Sequence, residues 1–183
     1  MKLFVGLGNP EIKFSNNRHN VGYMAIDAIN ASLKTKYKRK PALFSQKFLQ
    51  SIVSDYSPFA VLAKPMKYMN DSGVAVKKLV NCYNLDPENL YIIHDDLDIP
   101  IGEYKIQMAK GPKVHNGVSS VEEELGTKGF GRIRIGIENR DIKKRTKGED
   151  YVLSDFTEEE KRIIKWVIQK IIHDELFENL RYA

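Results

Sequence analysis

KLFVGLGNPEIKFSNNRHN, residues 2–20, is the stretch from which the fold is read. An apolar run enters a turn with glycines at positions 6 and 8. A strand that ends this way is a common opening of an α/β domain, and often of a phosphate cradle. A dinucleotide fingerprint needs a third glycine where helix and strand pack closely, and Glu11 stands at that position. Pro10 also removes a backbone donor that a phosphate cradle would use. The next acidic residue at a useful distance, Asp27, falls inside a predicted helix rather than at the tip of a second strand. Nicotinamide and flavin binding are therefore disfavoured. The two glycines are expected to let the chain turn sharply and present Asn9.

Strand and helix signals alternate downstream. NVGYMAIDAINASL puts Val21, Ala25, Ile29 and Leu33 on one helical face. FLQSIVSD and FAVLAKP read as two strands around a Tyr-Ser-Pro turn. SGVAVKKLVNCYNL reads as a helix with Val76, Leu79, Val80 and Tyr83 as its apolar stripe, and Cys82 beside it as a packed small residue. NLYIIHDDLD reads as a strand running out into an acidic loop, and GEYKIQMA as another strand. After HNG comes a helix, VSSVEEELG, stopped by Gly126. RIRIGIE alternates, with Ile133, Ile135 and Ile137 on one face and Arg132 and Arg134 on the other. TEEEKRIIKWVIQKIIHDELFENL reads as one long helix, with Thr157 and Glu160 as a capping box and Ile164, Ile168 and Ile172 along one stripe. The pattern predicts a single α/β domain over residues 1–183: a central twisted mixed sheet enclosed by helices on both faces.

The bulk numbers agree with a globular chain: 183 residues, 42% apolar, 29% charged. Only Lys2 precedes the first strand, so no signal peptide is expected, and no apolar run approaches the length of a membrane helix. The lone Cys82 fits a reducing cytoplasm. The net charge of +5 is clustered in KTKYKRK (Lys34, Lys36, Lys38, Arg39, Lys40) and RDIKKRTK (Arg140, Lys143, Lys144, Arg145, Lys147). Such clusters attract polyanions. Charge alone leaves nucleic acid and a merely solvated surface both open.

Clefts in α/β folds form at strand ends, so the polar residues there are the site candidates. They are Asn9, Arg18, His19, Asn20, Asn70, His94, Asp95, Asp96, Asp98, His115 and Asn116. HDDLD resembles a metal-ligand cluster, but strand alternation points Asp95 away from His94 and Asp96, and no second histidine motif has ligand spacing. There is no G-x-S-x-G elbow, no P-loop and no cysteine pair. Hydrolysis would then need water activated by a general base, and His19 oriented by Asp95 is the natural pair. Asparagine side chains both donate and accept, which suits a substrate bearing amide or ester groups.

These residues resemble one family closely, the bacterial peptidyl-tRNA hydrolases, whose opening pattern is G-L-G-N-P-G, a tyrosine, then T-R-H-N-x-G. The resemblance runs from GLGNPEIKFSNNRHNVG through MNDSG, HDDLD, HNGVSSV, RIRIGI and YVLSDFTEEE, over nearly the whole chain. It implies hydrolysis of the ester joining a peptide to the terminal ribose of tRNA, with His19 as proton acceptor and Asp95 stabilising its active form. It further implies that Asn9 discriminates blocked from free aminoacyl-tRNA, and that Asn70 and Asn116 contact the peptidyl-tRNA end. Phe14 and Tyr68 would line the site. A basic patch would clamp the 5′ phosphate, assigned to Arg134 with Lys105 or Arg132 nearby. The family implies a cytoplasmic monomer with no metal or cofactor.

The chain departs from the pattern at Glu11 for glycine, Phe14 for tyrosine and Asn17 for threonine. AKGPKVHNG replaces a glycine-rich loop, and Gln107 stands at a position of the basic clamp, for which Lys110 and Lys113 are expected to compensate. Arg18 is expected to anchor the His19 loop. The rival reading is a non-catalytic RNA-binding protein on the same scaffold.

Overall fold

The computed structural model of the protein describes residues 1–34, 45, 47, 50–56, 58–141 and 146–178. Most of the basic run KTKYKRK, part of RDIKKRTK and the start of the expected strand FLQSIVSD lie outside the described residues. Among the described residues six strands pair into one sheet: β1 (Lys2–Gly6), β2 (Ser51–Tyr56), β3 (Ala60–Pro65), β4 (Leu90–Pro100), β5 (Tyr104–Met108) and β6 (Gly131–Glu138), in the order β2-β3-β1-β4-β6-β5. The four central strands are parallel, and the two edge strands β2 and β5 run antiparallel to their neighbours. The sheet is therefore mixed, as the sequence predicts.

Helices cover both faces because the buried strands alternate. Phe4, Leu62, Ile93, Ile133, Ile135 and Ile137 pack under α1 (Val21–Lys34) and α5 (Glu158–Ile172). Leu3, Val5, Val61, Ala63, Leu90 and Ile92 pack under α2 (Ser72–Cys82) and α3 (Asn116–Leu125). The predicted stripes Val21, Ala25, Ile29, Leu33 and Ile164, Ile168, Ile172 are all buried. Gly126 ends α3 in the left-handed conformation, at φ 66°. Among the described residues no helix is long and apolar enough to cross a membrane.

Three expectations change. The acidic residues of HDDLD do not leave the sheet as a loop: β4 runs on to Pro100 and stays paired with β6, with a register shift between Asp96 and Pro100. The strand carries buried acids because each has a partner, Asp95 two histidines and Asp96 the Arg134 guanidinium one strand over. The C-terminal helix is also broken. α5 stops at Ile172, and a separate turn of helix, α6 (Glu175–Glu178), swings Phe177 onto Phe4 with ring centroids 4.6 Å apart.

The third change concerns the opening glycines, neither of which has a positive φ. They supply space rather than a special turn. A Cβ on Gly6 would lie 2.2 Å from the Gly22 carbonyl oxygen, and one on Gly22 would lie 2.4 Å from the Ile93 oxygen and 2.5 Å from the Leu7 nitrogen. Strand β1 and helix α1 thus cross backbone to backbone through Gly6 and Gly22. The close packing that a third glycine gives a dinucleotide loop is supplied here from inside the helix. Gly22→Ala is expected to cost about 3 kcal/mol or more in denaturant unfolding, since the obstacle is backbone. Gly126→Asn, at a left-handed position with nothing within 4 Å of an added Cβ, should cost under about 1 kcal/mol.

Candidate active site

The site forms where β1 and β3 end and β4 continues. Gly6, the last residue of β1, lies opposite Ile93, so Asp95 stands two residues further along β4. Asn9 follows β1, and Tyr68 and Asn70 follow β3. His19 sits in a 3₁₀ turn, Arg18–Asn20, immediately before α1, while Asn116 begins α3. Two adjoining hollows meet at His19 and Asn116. One, of about 460 Å³, is lined by Asp95, His115, Leu97, Val114 and Val152. The other, of about 430 Å³, is lined by Asn9, Tyr68, Met69, Asn70 and Leu153. The short helix α4 (Gly148–Val152) closes over both through Glu149 and Val152.

Hydrogen bonds define the protonation pattern. His19 Nδ1 lies 2.9 Å from Asp95 Oδ1, and His115 Nε2 lies 3.0 Å from the same oxygen. Burial by itself would raise the Asp95 carboxyl, but the two histidines beside it hold it well below the usual carboxylate range. An ionised carboxylate only accepts, so both ring nitrogens aimed at it carry protons. In the neutral ring that leaves His19 Nε2 as the unprotonated nitrogen, at the cleft that His19 lines. Burial would lower His19, yet the attraction of Asp95 and the hydrogen bond to it outweigh burial and hold it above its ordinary value of 6.5. His94, fully buried behind them, is pushed down by burial to about 3 and is neutral.

His19, Asp95 and His115 each offer an atom within 4.8 Å of the others, as a metal set would. Their donor chemistry is different. His19 Nδ1 and His115 Nε2 both point their protons at Asp95 Oδ1, so a cation bound between these nitrogens and the carboxylate would have to displace both protons.

Asn9 is fixed on three sides. Its N–H donates to Asn20 Oδ1 at 2.9 Å, its carbonyl accepts from Asn20 Nδ2 at 3.0 Å, and its Oδ1 accepts from the Met69 N–H at 3.0 Å. With the amide oxygen so held, the NH₂ is the end turned to the cleft. Tyr68, 54% exposed at the rim, donates its hydroxyl to Glu11, which also pairs with Lys13 at 2.8 Å. The Glu11 departure thus brings a tether for an aromatic that lines the site.

Of the expected site residues, His19, Asp95, Asn9, Tyr68, Asn70 and Asn116 come together. Phe14, Arg134 and Lys105 do not line either hollow. Phe14 is half-buried under the Lys13 ammonium. Arg134 is turned inward, its Nε 2.7 Å from Asp96 and its Nη1 2.9 Å from Gln107. Arg132 likewise pairs with Glu122 at 2.8 Å and with the Gly111 carbonyl. Gly111, at φ 66°, leaves just enough room for the flat Arg134 guanidinium, so these two arginines grip the loop that ends in His115. Lys105 is exposed on β5, paired in register with Arg134. Lys113 pairs with Asp98 at 3.3 Å. His115 was only one candidate among many in the sequence. Its place at the head of the HNGVSSV motif, just before a helix, was a signal that could have singled it out.

The His19 loop is anchored from the far end of the chain, in line with the expectation for Arg18. Arg18 Nη2 meets Glu160 Oε2 at 2.5 Å, and its Nη1 donates to the Ser154 hydroxyl and the Asp155 carbonyl, each at 2.7 Å. The guanidinium stacks on Tyr151, 4.1 Å from the ring centroid. Glu160 is also half of the capping box of α5.

An imidazole–carboxylate pair at the foot of an amide-lined cleft, with no serine or cysteine among the described residues that line it, sets the protein among hydrolases that work with water. The comparisons with known proteins narrow this. A sequence-family profile described as Peptidyl-tRNA hydrolase matches residues 3–178. The chain is 41% identical over 172 residues to a peptidyl-tRNA hydrolase of Aquifex aeolicus, covering 94% of this chain and 86% of that one. It is 44% identical over 168 residues to the enzyme of Geobacillus thermodenitrificans, covering 88% and 83%. A crystal structure of peptidyl-tRNA hydrolase with N-propanol superposes with a TM-score of 0.82 at 26% identity, covering 97% of this chain and 89% of that chain. One from Acinetobacter baumannii gives 0.76 at 25% identity, covering 99% and 94%. The chain belongs to the peptidyl-tRNA hydrolase family.

Removing one partner of the buried Arg18–Glu160 pair is expected to destabilise the fold by about 3–5 kcal/mol, read as a urea midpoint for Arg18→Met. Burial would raise Glu160, but the hydrogen bonds from Arg18, Thr157 and Asn139 hold it below its ordinary value of 4.5. Its contribution is therefore complete above 4.5 and lost as pH falls through the lower folded-state value. Stability of Glu160→Gln should fall less steeply on acidification than that of the wild type.

Proposed function

We propose that the protein hydrolyses the ester between the peptide of peptidyl-tRNA and the 3′-terminal ribose, returning tRNA from aborted translation to use. The observation that carries this reading is the His19 Nδ1–Asp95 Oδ1 bond of 2.9 Å, which leaves the other ring nitrogen bare at the junction of the two hollows. His19 Nε2 takes a proton from a water molecule as its oxygen attacks the ester carbonyl. Asp95 stabilises the imidazolium that forms. Collapse of the tetrahedral intermediate breaks the bond to the ribose oxygen, which takes the proton from His19. Asn9, Asn70 and Asn116 supply amide contacts to the peptide end, with Asn9 discriminating an N-blocked group from a free amine. Tyr68 lines that end, and Phe14 supports the turn between Asn9 and His19.

The tRNA phosphates fall to the β5–β6 side, where Lys105 is exposed beside Arg134. With Arg134 held by Asp96, Lys105 is the more available cation and Arg134 fixes the surface behind it. The protein acts as a monomer in the cytoplasm. A purely RNA-binding role is disfavoured, since a binder has no use for a buried carboxylate holding an imidazole in one tautomer.

The test is release of N-acetyl amino acid from N-acetyl-aminoacyl-tRNA, with free aminoacyl-tRNA as the control. Wild type should cleave only the blocked substrate, and His19→Asn should lose about 10²–10⁴ in rate. Tight binding without release by the wild type would hand the site to the RNA-binding reading. Because the unprotonated imidazole is the active form, kcat should fall as pH drops through the His19 value. That acidic limb should lie above 6.5, and a limb well below it would sink the assignment.

A further inference from the structure

Asp95 is shared. Its Oδ1 faces His19 Nδ1 at 2.9 Å and His115 Nε2 at 3.0 Å, with the two imidazole centroids 4.8 Å apart. His115 is not free to choose its tautomer. It is the N-cap of α3, and its Nδ1 accepts from the Val118 N–H at 3.3 Å. A nitrogen that accepts carries no proton, so the proton sits on Nε2 and points at Asp95. The ring is held on its other face by His94, 4.9 Å away and edge-on. His94 Nδ1 donates to the Asp95 carbonyl at 2.6 Å, so the whole group is locked to β4.

We propose that His115 is a positioning residue of this site: its Nε2–H fixes Asp95 Oδ1 and shares the carboxylate's charge, leaving less of it to hold a proton on His19. The inference rests on His19 being the base. Two donors on one carboxylate oxygen compete, and each weakens the hold of the other. With Asp95 serving His19 alone, the imidazolium would be over-stabilised and a larger fraction of the base would be protonated near neutral pH. The helix ties the adjustment to the fold, because the same ring that caps α3 supplies the second donor.

The other titratable groups lining the hollows with His19 are Asp95 on β4, Tyr68 after β3, and Lys147 and Glu149 at the start of α4; His94 lies behind the His115 ring, and Arg18 turns away onto Glu160. None is altered by the following test. An asparagine amide oxygen falls near the imidazole Nδ1 position, and a glutamine amide nitrogen near Nε2. His115→Asn therefore keeps the helix cap and removes the donor to Asp95, whereas His115→Gln keeps the donor and removes the cap.

The experiment is an NMR titration of the His19 ring in wild type and both variants, run beside the pH profile of kcat on N-acetyl-aminoacyl-tRNA. In His115→Asn the His19 midpoint should rise by about half to one pH unit, and the acidic limb should move with it, at near wild-type Tm. In His115→Gln the His19 midpoint should stay near wild type while Tm falls. An unchanged midpoint in His115→Asn, or an equal shift in both variants, would overturn the proposal. The titration needs no substrate, so a failure of the hydrolase reading would show separately, as absence of hydrolysis by the wild type.

Discussion

The site depends on how closely α1 lies on β1. Gly6 and Gly22 face each other with no room for a single added carbon, so the helix rests on the strand backbone and its first turn is held over the end of β1. The turn just before that helix carries His19, and the strand next to β1 carries Asp95. A separation set by two missing methyl groups is stiff, because main chain cannot yield as a side chain can. This is how a bond of 2.9 Å is held between residues 76 apart in sequence.

Much of this was legible before any coordinates. The apolar stripes, the capping box and the alternation of RIRIGIE follow from period and chemistry alone, and they appear as expected except at Tyr83, which caps the end of α2 half-buried. His19 and Asp95 were legible because an imidazole and a carboxylate at strand ends, in a chain with no nucleophile motif, leave few other ways to activate water. What stayed hidden depends on distance in space. The purpose of Gly22 needs the crossing of α1 on β1. The partnership of His115 needs Asp95 to arrive from twenty residues upstream. The acids of β4 read as a loop because a buried strand should not contain them, and their histidine and arginine partners are not visible from the strand itself. The arginines of β6 were legible as a basic pair, but not as a pair already taken up by Asp96, Gln107 and Glu122.

The interior of the cleft sets the Asp95 carboxylate among imidazoles. Asp95 is a buried carboxylate there, with three histidines around it, of which His94 is neutral. A neutral donor can hold a carboxylate firmly while leaving the net charge of the pocket open to change when a proton arrives on His19. A lysine or arginine in the place of His115 would hold Asp95 as well, but would repel that proton. The type of residue matters as much as its reach.

The contact between Arg18 and Glu160 joins residues 142 apart. Its partners Ser154 and Asp155 come from the same late segment, as does Tyr151 under the guanidinium. During synthesis, the first strand and the turn bearing His19 leave the ribosome long before that segment exists. Until α5 has emerged and docked, Arg18 has no acceptors and the neighbouring histidine has no fixed bearing on Asp95. A growing copy of this protein, itself a peptide esterified to tRNA, therefore has no assembled means of cutting such a bond until most of its chain has left the tunnel.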